Sequence, residues 1–332
     1  MRATTPEKPL ANNSLGPICL LALIAGSYAH TLGGLVVTQG VMYGVGFMIF
    51  YYPILDMLGE YWIARRGMMA GIMCSASGVS GAVFPFAIEA SLNKYGYPTT
   101  LRAISVGLLV ITGPLIPFLK GRLPEIETSA VARTDWSFLQ SSRFWIYSMS
   151  NLLMGFGYFF PFLYIPSYAT LNGMSSTQGA LLLALMSISQ VFGQQTFGHL
   201  SDGKMPLNLL AFTSALVAGI MVYICWGLAH NFGMLVTFSL VYGFFASGYT
   251  ALWVRMGTAV STEPSAAFSA YGLLNVGKGV GNVLAGPISG LLLQSAVDPR
   301  GYGAGSYAAI VLFSGTCLAV SAAILPLCYL VR

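Results

Sequence analysis

KGRLPEIETSAVARTDWSFLQSSR, residues 120–143, is the longest polar run between apolar blocks in this chain of 332 residues. It holds four of the fifteen basic residues (Lys120, Arg122, Arg133, Arg143) and three of the ten acidic ones (Glu125, Glu127, Asp135). The sequence on either side of it is almost continuously apolar. A polar tether between two oily blocks predicts two membrane bundles joined across a water-facing loop.

Composition supports that reading. The chain is 56% hydrophobic and 8% charged, whereas a soluble domain carries about 25% charged residues. So few charges cannot cover an ordinary water-facing surface. Repeated apolar runs of about 20 residues make the chain an all-α polytopic membrane protein. The net charge of +5 is spread over helix ends rather than gathered in a patch, which excludes a nucleic-acid partner. The five cysteines (Cys19, Cys74, Cys225, Cys317, Cys328) lie inside apolar runs without metal or redox spacing and read as small buried side chains. The opening MRATTPEKPLANNS lacks the layout of a cleaved signal peptide, so the first span is expected to serve as its own insertion signal.

Ten spans are expected, at 15–32, 34–57, 68–91, 99–119, 144–169, 175–199, 207–229, 232–256, 266–294 and 304–330. They give a cytoplasmic N-terminus over 1–14, four helices over 15–119, a linker over 120–143 and six helices over 144–332. With the N-terminus inside, eleven basic residues face the cytoplasm and three (Lys94, Arg102, Arg300) face out, with Lys278 left within a span. That bias places both termini in the cytoplasm. A weak internal repeat pairs VMYGVGF (41–47) with LVYGFFA (240–246), each ahead of a turn and a glycine-rich helix. Parallel repeats of this kind occur where two bundles rock about a central site.

Four segments carry candidate chemistry. In the third span Gly71, Gly78 and Gly81 line a small-residue face, as do Gly281, Gly286 and Gly290 in the ninth. Such faces let backbones approach where lipid gives no hydrophobic drive to associate. The turn GHLSDGKM (198–205) offers Gly198, Asp202 and Lys204 as a latch that ties helix ends together through charge and helix dipole. Lys278 is a mid-span lysine, costly by about 3 kcal/mol on insertion scales. It is either a counter-ion for an anionic solute, or snorkels, or pairs with a carbonyl. Gln190 and Gln194 share one helical face and can bond a solute or another helix. Tyr158 and Tyr164 can line a cavity or pack, and Asn275 and Asn282 are secondary cavity candidates. Pro161 and Pro166 are expected to kink the fifth span.

No metal-ligand group, cofactor-binding loop or enzyme constellation is present. His30, His199 and His230 lie far apart in sequence without acidic partners, and the glycines of the ninth span lack a P-loop Lys-Ser/Thr pair.

The turn 198–205 resembles the Gly-x-Leu-x-Asp motif of the major facilitator superfamily. GFGYFFPFLYIPSYA (155–169) and GVGNVLAGPISG (279–290) are similar to the seventh and eleventh helices of its fungal monocarboxylate-porter-like members. TQGVMYGVG (38–46) and GEYWIARRGMMAGIMCSASGVSGAVFP (59–85) resemble the fourth and fifth helices with their connecting loop. The resemblance covers nearly the whole chain and implies helices three to twelve of a twelve-helix bundle. The Gly-Gly-Trp entry to helix one, its lysine and the first-half counterpart of the Asp turn are not in this sequence. Gln190 and Gln194 stand where animal relatives carry an aspartate and an arginine, which removes a fixed cation and a protonatable partner.

What the resemblance implies is secondary transport of a small organic solute by alternating access: a monocarboxylate, a related organic acid or an exported fungal metabolite. Partners would be that solute, the bilayer and a proton as an open coupling ion, in the plasma membrane. Rival expectations are a non-transporting remnant and a membrane-embedded solute sensor.

Overall fold

A computed structural model describes residues 17–118, 135–203, 205–295 and 302–330. Its secondary structure is helical: α1 (Pro17–Gly26), α2 (Leu32–Tyr61), α3 (Arg66–Ile88), α4 (Ala90–Leu115), α5 (Ser142–Leu171), α6 (Ser176–Asp202), α7 (Leu207–Trp226), α8 (Phe232–Val260), α9 (Ser265–Gln294) and α10 (Ala308–Tyr329). Among the described residues, nine of these are long and apolar enough to cross a bilayer, and α1 spans ten residues. The chain is therefore a multi-pass membrane protein built as a helical bundle, with four helices before the tether and six after it. Residues 119–134 of the tether lie outside the described residues.

Local chemistry sets the boundaries. The first turn falls at 27–31, earlier than expected, because Thr31 caps α2 by accepting from the Gly34 N–H at 3.1 Å. Within α4 the chain kinks at Gly96, where φ is 75° and ψ is 171°. That conformation suits a residue without Cβ, and Pro98 follows it. Asp135 opens a short turn at Trp136–Gln140 by accepting from the Ser137 N–H and hydroxyl at 2.9 and 2.7 Å. Those two bonds hold its carboxyl below the usual carboxylate range. Wide π-type turns interrupt α2 at Val36–Met42 and end α7 at Val222–Trp226.

The described residues fall into two compact units. The first joins 17–63 with 84–118. In it Gln39 donates to the Ala22 carbonyl at 3.2 Å, Ser105 donates to the Leu20 carbonyl at 3.2 Å, and the Arg102 guanidinium lies 4.5 Å from the Tyr28 ring centre.

The second unit joins 64–83, the first turns of α3, with 135–330. Its core is held by small residues at backbone contacts and by buried side-chain bonds between helices. Ser150 of α5, Tyr249 of α8 and Ser321 of α10 form one such cluster, with Ser150 Oγ 2.7 Å from Tyr249 Oη and 2.9 Å from Ser321 Oγ. Ser314 donates to the Gly157 carbonyl at 2.7 Å and Tyr242 to the Tyr158 carbonyl at 2.8 Å. In lipid such bonds satisfy polar groups that have no water to turn to.

Candidate functional site

The site is built where α3, α5, α6, α8 and α9 of the second unit converge around Lys278. Glycines bring the helices in. On α5, a Cβ at Gly155 would lie 2.8 Å from the Lys278 Cα, and one at Gly281 would overlap the Gly155 main chain. This backbone-on-backbone contact seats Lys278 beside Tyr158, one turn along α5 from Gly155. The Lys278 ammonium lies 4.8 Å from the Tyr158 ring centre and 4.6 Å from that of Trp253. Both distances are in the range of cation–π attraction. Among the described residues no carboxylate comes within ion-pair distance of it; Asp202 is approached by Arg255 instead, at 3.8 Å.

A hydrogen-bond chain runs beside the ammonium. Gln194 of α6 donates its amide to Thr250 Oγ1 at 3.1 Å, and Thr250 donates to the Ser247 carbonyl at 2.7 Å. Tyr158 Oη and Ser247 Oγ lie 3.1 Å apart. Cys74 of α3 lies near both Thr250 and Lys278. Two polar atoms in this group are buried without a partner among the described residues: the side-chain oxygen Oε1 of Gln194 and the Trp253 indole N–H.

Gln190, one turn from Gln194, donates to Ser77 Oγ of α3 at 2.8 Å. Both amides thus bridge helices, α6 to α3 and α6 to α8. A double-mutant cycle with Gln190→Leu and Ser77→Ala is expected to give a coupling of about 0.6 kcal/mol in unfolding titrations, the average for such bonds in a helical membrane protein.

The remaining predicted residues are placed as follows. Tyr164 packs away from Lys278, stacked on Phe160 at 6.5 Å and tilted on Tyr307 at 5.7 Å. Asn275 donates to the Tyr271 carbonyl of its own helix at 3.1 Å, and Asn282 is exposed. A Cβ at Gly71 would fall 2.5 Å from the Gln194 carbonyl, at Gly78 2.8 Å from the Ser187 carbonyl, and at Gly81 3.1 Å from Ser187 Oγ. At Gly286 and Gly290 nothing lies within 4 Å, so no close approach is made there.

At the far end of α6, Gly67 and Gly198 meet, a Cβ on either falling 2.5 Å from the other's carbonyl oxygen. That approach lets Asp202 accept from the Gly67 and Met68 N–H groups at 2.8 and 2.7 Å, so its carboxylate caps α3. A carboxylate at a helix N-terminus meets both free N–H groups and the positive end of the dipole. Lys204 lies outside the described residues.

Sequence reading passed over Trp253, Thr250 and Ser247, and took Cys74 for a small buried side chain. Thr250 and Trp253 stand three apart and so share a helical face, but Trp253 sits in an aromatic-rich span where packing explains it equally well.

No family model matches the chain. Curated relatives do. An MFS-type transporter of Aspergillus niger is 26% identical, over 91% of this chain and 69% of the relative. Human monocarboxylate transporter 12 is 26% identical, over 96% of this chain and 66% of the relative. The aspyridones efflux protein of Emericella nidulans is 24% identical, over 77% of this chain and 52% of the relative. The chain thus spans between about half and about two thirds of the length of these relatives. Among solved structures, the E. coli fucose:proton symporter matches with a TM-score of 0.67 and 13% identity, over 94% of this chain and 81% of that one. The fold is that of a major facilitator helical bundle. The relatives bear the names of an MFS-type transporter, a monocarboxylate transporter and an efflux protein.

Proposed function

We propose that the chain is a secondary transporter of a small organic acid, with Lys278 meeting the anionic group of the solute. One observation carries this reading: a lysine ammonium within cation–π distance of two aromatic rings inside a membrane bundle, with no carboxylate among the described residues within ion-pair distance. A cation in hydrocarbon is costly unless it is paired, and an anionic solute supplies the missing charge when it binds. Gln194 and Tyr158 border the same spot and would orient the solute. The Asp202 cap on α3 would act as a latch at one face, made and broken as the helices rearrange. With both termini in the cytoplasm, as the distribution of basic residues favours, that face is the inner one, and the plasma membrane is the location we assign. Two relatives named as efflux proteins for fungal metabolites favour export as the direction.

The test is flux of labelled monocarboxylates in proteoliposomes that hold the 332-residue chain. Lys278→Ala is expected to lower flux by about tenfold or more, the scale of losing one charged hydrogen-bonded contact. Lys278→Arg should keep part of it. Flux unchanged in Lys278→Ala would sink the assigned role of Lys278. Saturable binding without flux would instead mark a sensor.

A further inference from the structure

Resting on the acid-binding reading above, the geometry points to a narrower ligand. We propose that the Lys278 site selects flat, conjugated acids that carry a hydroxyl or N–H donor in addition to the anionic oxygen, over plain aliphatic monocarboxylates.

Three features of the site each ask for one feature of the ligand. The ammonium calls for an oxyanion. The rings of Trp253 and Tyr158, with centres 4.6 and 4.8 Å from the nitrogen, put aromatic surface next to the place of the oxyanion, and a conjugated body packs against such rings better than a puckered one. The third feature is the pair of orphan groups. Gln194 is 2% exposed and Trp253 5% exposed, and neither Gln194 Oε1 nor the Trp253 N–H has a partner among the described residues. Buried polar groups are normally bonded, and an orphan in a polar cluster marks a place where a ligand completes the set. The Trp253 N–H can only donate, so it fits a second lone pair of the oxyanion.

The orientation of Gln194 follows from its neighbours. The single Thr250 hydroxyl proton goes to the Ser247 carbonyl, so Thr250 receives the Gln194 N–H₂. The Gln194 oxygen is therefore the free end, and an oxygen only accepts. The ligand must bring a donor to it. A simple aliphatic carboxylate satisfies Lys278 and Trp253 but leaves this acceptor orphaned.

The experiment is titration calorimetry on the detergent-purified full chain with benzoate, 3-hydroxybenzoate, 4-hydroxybenzoate and cyclohexanecarboxylate. At least one hydroxybenzoate is expected to bind about tenfold tighter than benzoate, the scale of one satisfied buried acceptor. Benzoate in turn should bind tighter than cyclohexanecarboxylate. Gln194→Met should bring the hydroxybenzoates down to the level of benzoate, and Trp253→Phe should weaken all the acids by a similar factor. Gln194→Glu keeps the side chain's shape, so it serves if the methionine variant fails to fold. It should abolish acid binding by neutralising Lys278, and a hydroxybenzoate preference that survives it overturns the assignment. Lys278-dependent binding with no preference between benzoate and the hydroxybenzoates overturns the selectivity and leaves the transport reading standing. No binding of any acid overturns both.

Discussion

Asp202→Asn is expected to release the first turn of α3. In hydrogen exchange followed by mass spectrometry, peptides covering Gly67 to Met69 should lose protection by two orders of magnitude or more. The Asp202 carboxylate takes two N–H bonds of 2.8 and 2.7 Å from Gly67 and Met68. Bonds to a charged acceptor are worth about 1.5–3 kcal/mol each. An asparagine presents one oxygen and one N–H₂, so one main-chain N–H would face another donor. Arg255 makes a useful contrast. It approaches Asp202 at 3.8 Å, longer than a hydrogen bond, so its removal leaves both main-chain bonds to the carboxylate in place. Arg255→Gln should therefore leave the same peptides nearly as protected as in the parent chain. Equal deprotection in the two variants would mean that the ion pair, and not the helix cap, holds this end of α3. In transport assays the two variants should separate in the same order.

Gly281→Ala should be among the most damaging single methyl additions in the C-terminal helices. Its Cβ would overlap the main chain of Gly155, and a main chain cannot swing aside as a flexible side chain can. Overpacking a core typically costs about 1–3 kcal/mol, and here relief requires α5 and α9 to part. Parting them would also pull Lys278 away from Tyr158. The expected readout is a lower melting temperature in a detergent thermal-shift assay together with lost acid binding. Gly286→Ala on the same helix has open space at its Cβ, and replacing a mid-helix glycine by alanine stabilises by about 0.5–1 kcal/mol. It should melt no lower than the parent chain. A Gly281→Ala protein as stable as Gly286→Ala would mean that α5 and α9 are not in contact at this point.

The order of helices was legible in the sequence because membrane spans announce themselves: a bilayer needs long apolar runs, and this chain provides them in order. Lys278 stood out for the same reason, as a charge where none is expected. The glycine faces were visible as patterns, but the pattern does not say which glycines touch. Gly71, Gly78, Gly81 and Gly281 meet neighbours, whereas Gly286 and Gly290 do not. Asp202 could be read as a helix-end tie from its turn, yet its partner lies 135 positions earlier. Spacing in the sequence cannot supply a contact at that separation. Trp253 and Thr250 were hidden for a different reason. An aromatic or a hydroxyl in an apolar span has several ordinary uses, and only their convergence on Lys278 sets these two apart. Cys74 read as inert filler and in the folded chain stands beside Thr250 and Lys278.

The long reach of Asp202 has a bearing on how the protein is made. Gly67 and Met68 are synthesised 135 and 134 positions before the carboxylate that caps them. At about 5–20 residues per second on the ribosome, roughly 7 to 27 s separate the two ends of this bond. Through that interval the leading turn of α3 has to rely on water or lipid headgroups for its N–H groups. A chaperone or insertase that shelters this turn until α6 emerges would act on a step that the finished fold no longer displays.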